Sequence, residues 1–160
     1  MISIVMDTSN SYLAVGLFQD NMCLEAFQEK GSRRQSEKAI PTLKEVLDRH
    51  HIALKDVNEM IITSGPGSYT GVRVAMTIAK TLAAVSDVKI KSVSSLAAYA
   101  GMNQALSVID ARGHKVFVGV YENGLPLIKE QVMALEDFAQ LRAEYEDFEL
   151  VGEVGCLGLD

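Results

Sequence analysis

Short apolar runs broken by turn chemistry predict three strands at the start of the chain, Ile2 to Met6, Leu13 to Phe18 and Cys23 to Phe27. Asn10-Ser11 and Asp20-Asn21 separate them, and such residues bend a chain because their short polar side chains bond to local backbone and tolerate left-handed conformations. The apolar spacing then becomes helical. Ala39, Ile40, Leu43, Val46 and Leu47 fall on one face of a helix from about Ser36 to His50. Pro41 lies within that stretch and either marks its first turn or kinks it. Met60 to Thr63 reads as a strand, Val72 to Val85 as a helix and Lys89 to Val93 as a strand. Ser94 or Ser95 caps a short helix through Tyr99. A second three-strand pattern runs from Ala105 to Val132, followed by a helix from Leu135 to Tyr145 and a strand from Phe148 to Gly152.

The helix from Val72 to Val85 carries more apolar surface than a sheet-packed helix needs. Val72, Ala75, Met76, Ala79, Leu82 and Ala83 make one face, and Val74, Ile78 and Val85 make a second. Such breadth implies burial on two sides. Either a partner chain or the chain's own other helix covers the second side.

Similar segments recur at an offset of 103 residues. Asp7 follows Ile4-Val5-Met6 and Asp110 follows Val108-Ile109; Val15, Gly16, Leu17 and Phe18 align with Val118, Gly119, Val120 and Tyr121. Two three-strand units at such spacing are too few for a solenoid and predict two similar halves. Gly101-Met102-Asn103 is the expected boundary, giving a first half of residues 1–102 and a second of 103–160. The second half reads as incomplete, since no terminal helix closes it.

Between the Met60–Thr63 strand and the following helix lies Ser64-Gly65-Pro66-Gly67-Ser68-Tyr69-Thr70-Gly71-Val72-Arg73. A glycine-rich turn entering a helix presents bare amides and the positive end of the helix dipole, which suits an anion. It equally lets two backbones pass close together. The glycine spacing fits neither the G-x-x-x-x-G-K-[ST] loop nor a dinucleotide fingerprint. Asp7, Thr8, Ser9, Gly65, Gly67, Ser68 and Asp110 are the candidates for a nucleotide or anion loop. Two strand-end aspartates facing each other would suit a magnesium–nucleotide site. The competing reading is that each bonds to its own turn.

Composition narrows the chemistry. A net charge of −6 over 160 residues argues against strong direct nucleic-acid binding. The one cationic cluster, Lys30 to Arg34, reads as a solvated loop. His50, His51 and His114 are the only histidines, and none has metal-ligand spacing. His50 and His51 suit a helix end, and His114 a tight turn. Isolated serines without a spaced base give no nucleophile. Cys23 and Cys156 show no C-x-x-C spacing and read as free thiols, Cys23 as a small core residue. The first residues read as a strand rather than a cationic, apolar leader. No apolar run approaches the roughly 20 residues of a membrane span. The expected location is cytoplasmic.

These residues together resemble a known family. Strand-end aspartates in duplicated βββα halves resemble the α/β actin, hexokinase and Hsp70 class, a ribonuclease H-like fold. Within it, Ile4-Val5-Met6-Asp7-Thr8-Ser9, Gln35-Ser36-Glu37 with Pro41, the Ser64–Arg73 motif and Val108-Ile109-Asp110-Ala111-Arg112 are similar to the TsaB (YeaZ) family. The resemblance implies a non-catalytic scaffold that binds and activates TsaD in threonylcarbamoyladenosine modification of tRNA. It implies TsaE as a further partner, a homodimer when alone, tRNA met only indirectly, and ATP with magnesium only at the level of the complex. It implies no metal and no cofactor. Carried onto this chain, Val74, Ile78 and Val85, and less strongly Leu43 and Leu47, are interface candidates. Members usually have His where this chain has Gln35. The alternative is a small magnesium-nucleotide ATPase or phosphotransferase using Asp7, Thr8 and Asp110; a metal-dependent peptidase is a third reading.

Overall fold

The computed structural model describes residues 1–31 and 34–158. Ser32 and Arg33 of the cationic cluster, and Leu159 and Asp160 at the tail, lie outside the described residues. The chain divides into two compact units, Met1–Val93 and Ser94–Asp160, each with its own sheet.

In the first unit β1 (Ile2–Asp7), β2 (Tyr12–Gln19) and β3 (Met22–Lys30) form an antiparallel meander. α1 (Gln35–Arg49) leads to β4 (Glu59–Thr63), and α2 (Tyr69–Val85) leads to β5 (Lys89–Val93). β4 pairs parallel to β1 and β5 parallel to β4, giving the order β3-β2-β1-β4-β5. Parallel neighbours need a long crossover, and the two helices supply it. The core is one sheet face against one helix layer. Ile4, Met6, Leu13, Val15, Leu17, Met60 and Ile62 meet Ala39, Leu43, Val46 and Leu47 of α1 and Ala75, Ile78 and Ala79 of α2. Pro41 sits beyond the first turn of α1, inside the helix. Cys23, expected in the core, is exposed on β3, the edge strand.

The second unit begins with α3 (Ser95–Ala100), capped by the Ser94 hydroxyl. β6 (Ala105–Arg112), β7 (Lys115–Glu122) and β8 (Leu125–Ala134) form the second meander. α4 (Leu135–Glu144) then leads to β9 (Glu149–Gly152), in the order β8-β7-β6-β9. This sheet buries both faces. Leu106, Val108, Val116, Val118 and Val120 pack with Phe138 of α4; Ala105, Ile109 and Tyr121 pack with Leu96 and Ala100 of α3. The sequence boundary at Gly101–Asn103 placed α3 in the first half, whereas these contacts make it part of the second unit.

The strand pairing corrects the internal repeat. Ile4 pairs with Leu17, and Leu106 pairs with Val120, the counterpart of Leu17. Ile4 therefore corresponds to Leu106, an offset of 102, while the second strands keep 103. By the same register Asp7 corresponds to Ile109 and Thr8 to Asp110. A one-residue slip in a strand moves every side chain to the other face, so the two aspartates are not equivalent.

Both meanders share one local device. Gly16 lies beneath the ring of Phe18, and Gly119 beneath the ring of Tyr121; a Cβ on either glycine would fall 2.9 Å and 2.7 Å from a ring carbon. The aromatic side chain folds back along its own strand and fills the place the glycine leaves.

Candidate functional site

The turn after β1 and the glycine motif before α2 form one tightly bonded cluster. The Asp7 carboxylate accepts from the Ser9 amide at 2.8 Å, the Ser9 hydroxyl at 2.6 Å and the Thr63 hydroxyl at 2.7 Å. The first of these is the Asx-type bond to its own turn, and the last ties the turn to the end of β4. Thr8 is fully buried. Its hydroxyl donates to the Gly71 carbonyl at 2.5 Å and accepts from the Ala75 amide at 3.2 Å. The Ser9 carbonyl accepts from the Ser68 amide at 2.8 Å, and the Ser68 hydroxyl caps α2 by accepting from the Gly71 amide at 3.2 Å.

The glycines serve backbone contact. A Cβ on Gly71 would overlap the Thr8 carbonyl oxygen, and one on Gly67 would overlap that of Ser9. Gly65 has φ of +97°, a conformation that favours glycine. Of the two readings left open by the sequence, the motif takes the close-approach one. The amides of Ser68 and Gly71 are already bonded within the cluster.

Asp110, in the second unit, also bonds to its own turn. Its carboxylate accepts from the Arg112 amide at 2.8 Å, and its own amide donates to the Glu153 carboxylate at 2.9 Å. Among the described residues no group of three His, Cys, Asp or Glu side chains is placed to hold a metal ion. Nor is any helix long and apolar enough to cross a membrane. Burial, with the Asp110 and Glu153 charges, pushes the Cys156 thiol above its ordinary value.

α1 and α2 present a different kind of surface. An open groove of about 460 Å³ runs between them, lined by Ser36, Ile40, Tyr69, Thr70, Arg73, Val74, Thr77 and Ile78. Ile40 is 60% and Tyr69 75% exposed. Arg73 stacks over the Tyr69 ring at 5.3 Å and donates to its hydroxyl at 2.8 Å, fixing both side chains at one rim. Of the interface candidates, Val74 lines the groove and is half-buried, and Val85 is 73% exposed near the far end of α2. Ile78 also lines the groove but is buried in the unit's own core. Leu43 and Leu47 are buried in that core too and offer no free surface. Ile40 was expected on the buried face of α1. It lies one residue past Ala39, so the helical step of about 100° carries it off that face.

Comparison with known proteins adds the family. The family model described as TsaD, tRNA N6-adenosine threonylcarbamoyltransferase, matches residues 28–149. The tRNA threonylcarbamoyladenosine biosynthesis protein TsaB of Bacillus subtilis is 31% identical over 90% of this chain and 67% of its own length. TsaB of Escherichia coli is 30% identical over 76% of this chain and 57% of its own length. The structure of YeaZ from Pseudomonas aeruginosa superposes with a TM-score of 0.76 at 28% identity, over 82% of this chain and 67% of that one. The chain thus spans between about half and two thirds of the length of these relatives.

Proposed function

We propose that this chain, which belongs to the TsaB (YeaZ) family, is a cytoplasmic, catalytically silent subunit that activates TsaD in threonylcarbamoyladenosine modification of tRNA. The exposed apolar groove between α1 and α2 carries this reading. An apolar surface rimmed by polar residues suits a protein partner, and an amphipathic helix laid between two helices is a common way to fill such a groove. TsaD is the partner that the family suggests. Two helices from each chain would close a four-helix bundle, and a second copy of this chain would take the same place when TsaD is absent. TsaE would join the TsaD-bound form, and tRNA would be met only through the complex. The bonded cluster around Asp7 and Thr8 supports a silent subunit over the alternative ATPase or phosphotransferase, because its polar groups are engaged with one another.

Size-exclusion chromatography with light scattering tests this, on the chain alone and mixed with TsaD from the same organism. The expected result is a homodimer that exchanges into a heterodimer. An Ile40→Glu/Tyr69→Ala variant, changed only at exposed positions, is expected to lose both. A variant that still assembles with TsaD would show that another surface makes the contact. Magnesium-ATP binding by the chain alone, lost in Asp7→Ala, would favour the enzyme.

A further inference from the structure

We infer that the turn between β1 and β2 sets the spacing of α1 and α2, with Thr8 and Gln35 as the positioning residues of the groove. This rests on the reading of the groove as a docking surface. Both helices are tied at their N-terminal ends to this one turn, through different atoms. On the α2 side the Thr8 hydroxyl bridges the Gly71 carbonyl and the Ala75 amide, one helical turn apart. Gly67 and Gly71 let the two backbones close to contact. On the α1 side the Gln35 side-chain amide donates to the carbonyls of Asn10 and of Tyr12, the latter at 2.8 Å.

The turn itself is held from below. Asp7 accepts two bonds from Ser9, and its bond from Thr63 fixes it to β4. It is therefore a rigid post rather than a loose loop. The groove residues sit just past the two anchors. Ser36 and Ile40 follow Gln35 on α1; Tyr69, Arg73 and Val74 flank Gly71 on α2. A shift at either anchor changes the distance between Ile40 and Val74, and so the fit of an inserted helix. The Thr8 bonds are buried and the Gln35 bonds half-buried, and polar pairs shielded from water enforce one arrangement, because leaving either partner unpaired is costly.

The experiment measures affinity for TsaD by isothermal titration calorimetry, at a temperature where circular dichroism shows every variant folded. Thr8→Val keeps the volume and removes the hydroxyl; it is expected to weaken binding about tenfold or more. Thr8→Ser, which keeps the hydroxyl, should return within about twofold of wild type. Val57→Ala, a core change outside the groove lining, should lower the melting temperature yet leave affinity within about twofold. If Thr8→Val fails to fold, Gln35→Ala takes its place, with the same loss expected. Wild-type affinity in Thr8→Val or Gln35→Ala, beside loss of binding in Ile40→Glu, overturns the inference and leaves the groove standing. Equal weakening in Val57→Ala also overturns it, since general loosening then explains the effect. Undiminished binding in Ile40→Glu removes the docking surface itself, and the inference with it.

Discussion

Replacing Gly71 by alanine sets helix propensity against packing. In an exposed helix the change would stabilise by about 1 kcal/mol, since glycine pays the larger backbone entropy. Here the new methyl group would overlap the Thr8 carbonyl oxygen and meet the Ser68 Cβ at 3.4 Å. A backbone oxygen cannot swing aside as a flexible side chain would, so α2 must move off the turn. Overpacking of this kind costs about 1–3 kcal/mol. The movement also stretches the Thr8 bonds to Gly71 and Ala75, both buried, for about another 1–3 kcal/mol. Subtracting the propensity gain leaves a net loss of about 1–5 kcal/mol, centred on about 3 kcal/mol. With a urea dependence of about 2 kcal/mol/M, the unfolding midpoint should fall by about 0.5–2.5 M. The assay is urea titration followed by far-ultraviolet circular dichroism. Gly31→Ala is the reference, because nothing lies within 4 Å of the added Cβ; it should stay within about 0.5 kcal/mol of wild type. A Gly71→Ala midpoint equal to or above that of wild type would refute the close-approach argument.

Thiol alkylation at mildly alkaline pH should label Cys23 well before Cys156, because Cys23 is exposed while burial and the neighbouring Asp110 and Glu153 charges hold the Cys156 thiol up; equal rates by mass spectrometry would contradict this. Glu59 pairs with Lys91 at 2.6 Å and accepts from the Ser3 hydroxyl at 2.8 Å, and these contacts hold its carboxyl below the ordinary value. A lowered folded value means the stabilisation is present above the unfolded carboxylate range and lost as pH falls through the folded value. The melting-temperature gap between wild type and Glu59→Gln should therefore narrow from pH 7 to about pH 3, and a gap constant across that range would contradict the pairing.

The hairpins were legible because their turns announce themselves. Asp20 and Asn21 adopt φ of 49° and 68°, and Asn123 and Gly124 adopt 52° and 77°, the left-handed conformations such residues tolerate. Both crossover helices and β9 followed from apolar spacing and fell within a few residues of expectation. The site was less legible. The glycine motif admits two physical uses, and only the position of the Thr8 and Ser9 carbonyls decides between them. The aspartates misled because a matching residue type outweighed the alternation beside it. Leu106 and Val108 repeat the pattern of Ile4 and Met6 at an offset of 102, a signal present in the sequence that sets Asp110 against Thr8. Ile40 and Cys23 were misplaced for a shared reason: burial at a helix flank or a sheet edge depends on which neighbour covers it, and local pattern does not encode the neighbour.

The rings lying over Gly16 and Gly119 constrain how these strands can change over time. Each glycine and the aromatic residue two positions on occupy one volume between them, so the side-chain sizes the two positions tolerate are coupled. A lineage can acquire a side chain at Gly16 only after Phe18 has shrunk or turned away. In the second unit the order is stricter, because the Tyr121 hydroxyl also bonds to Glu130 on the next strand at 2.9 Å. Gain of a side chain at Gly119 would displace the ring and disturb that link, so the cost of change there reaches a third position.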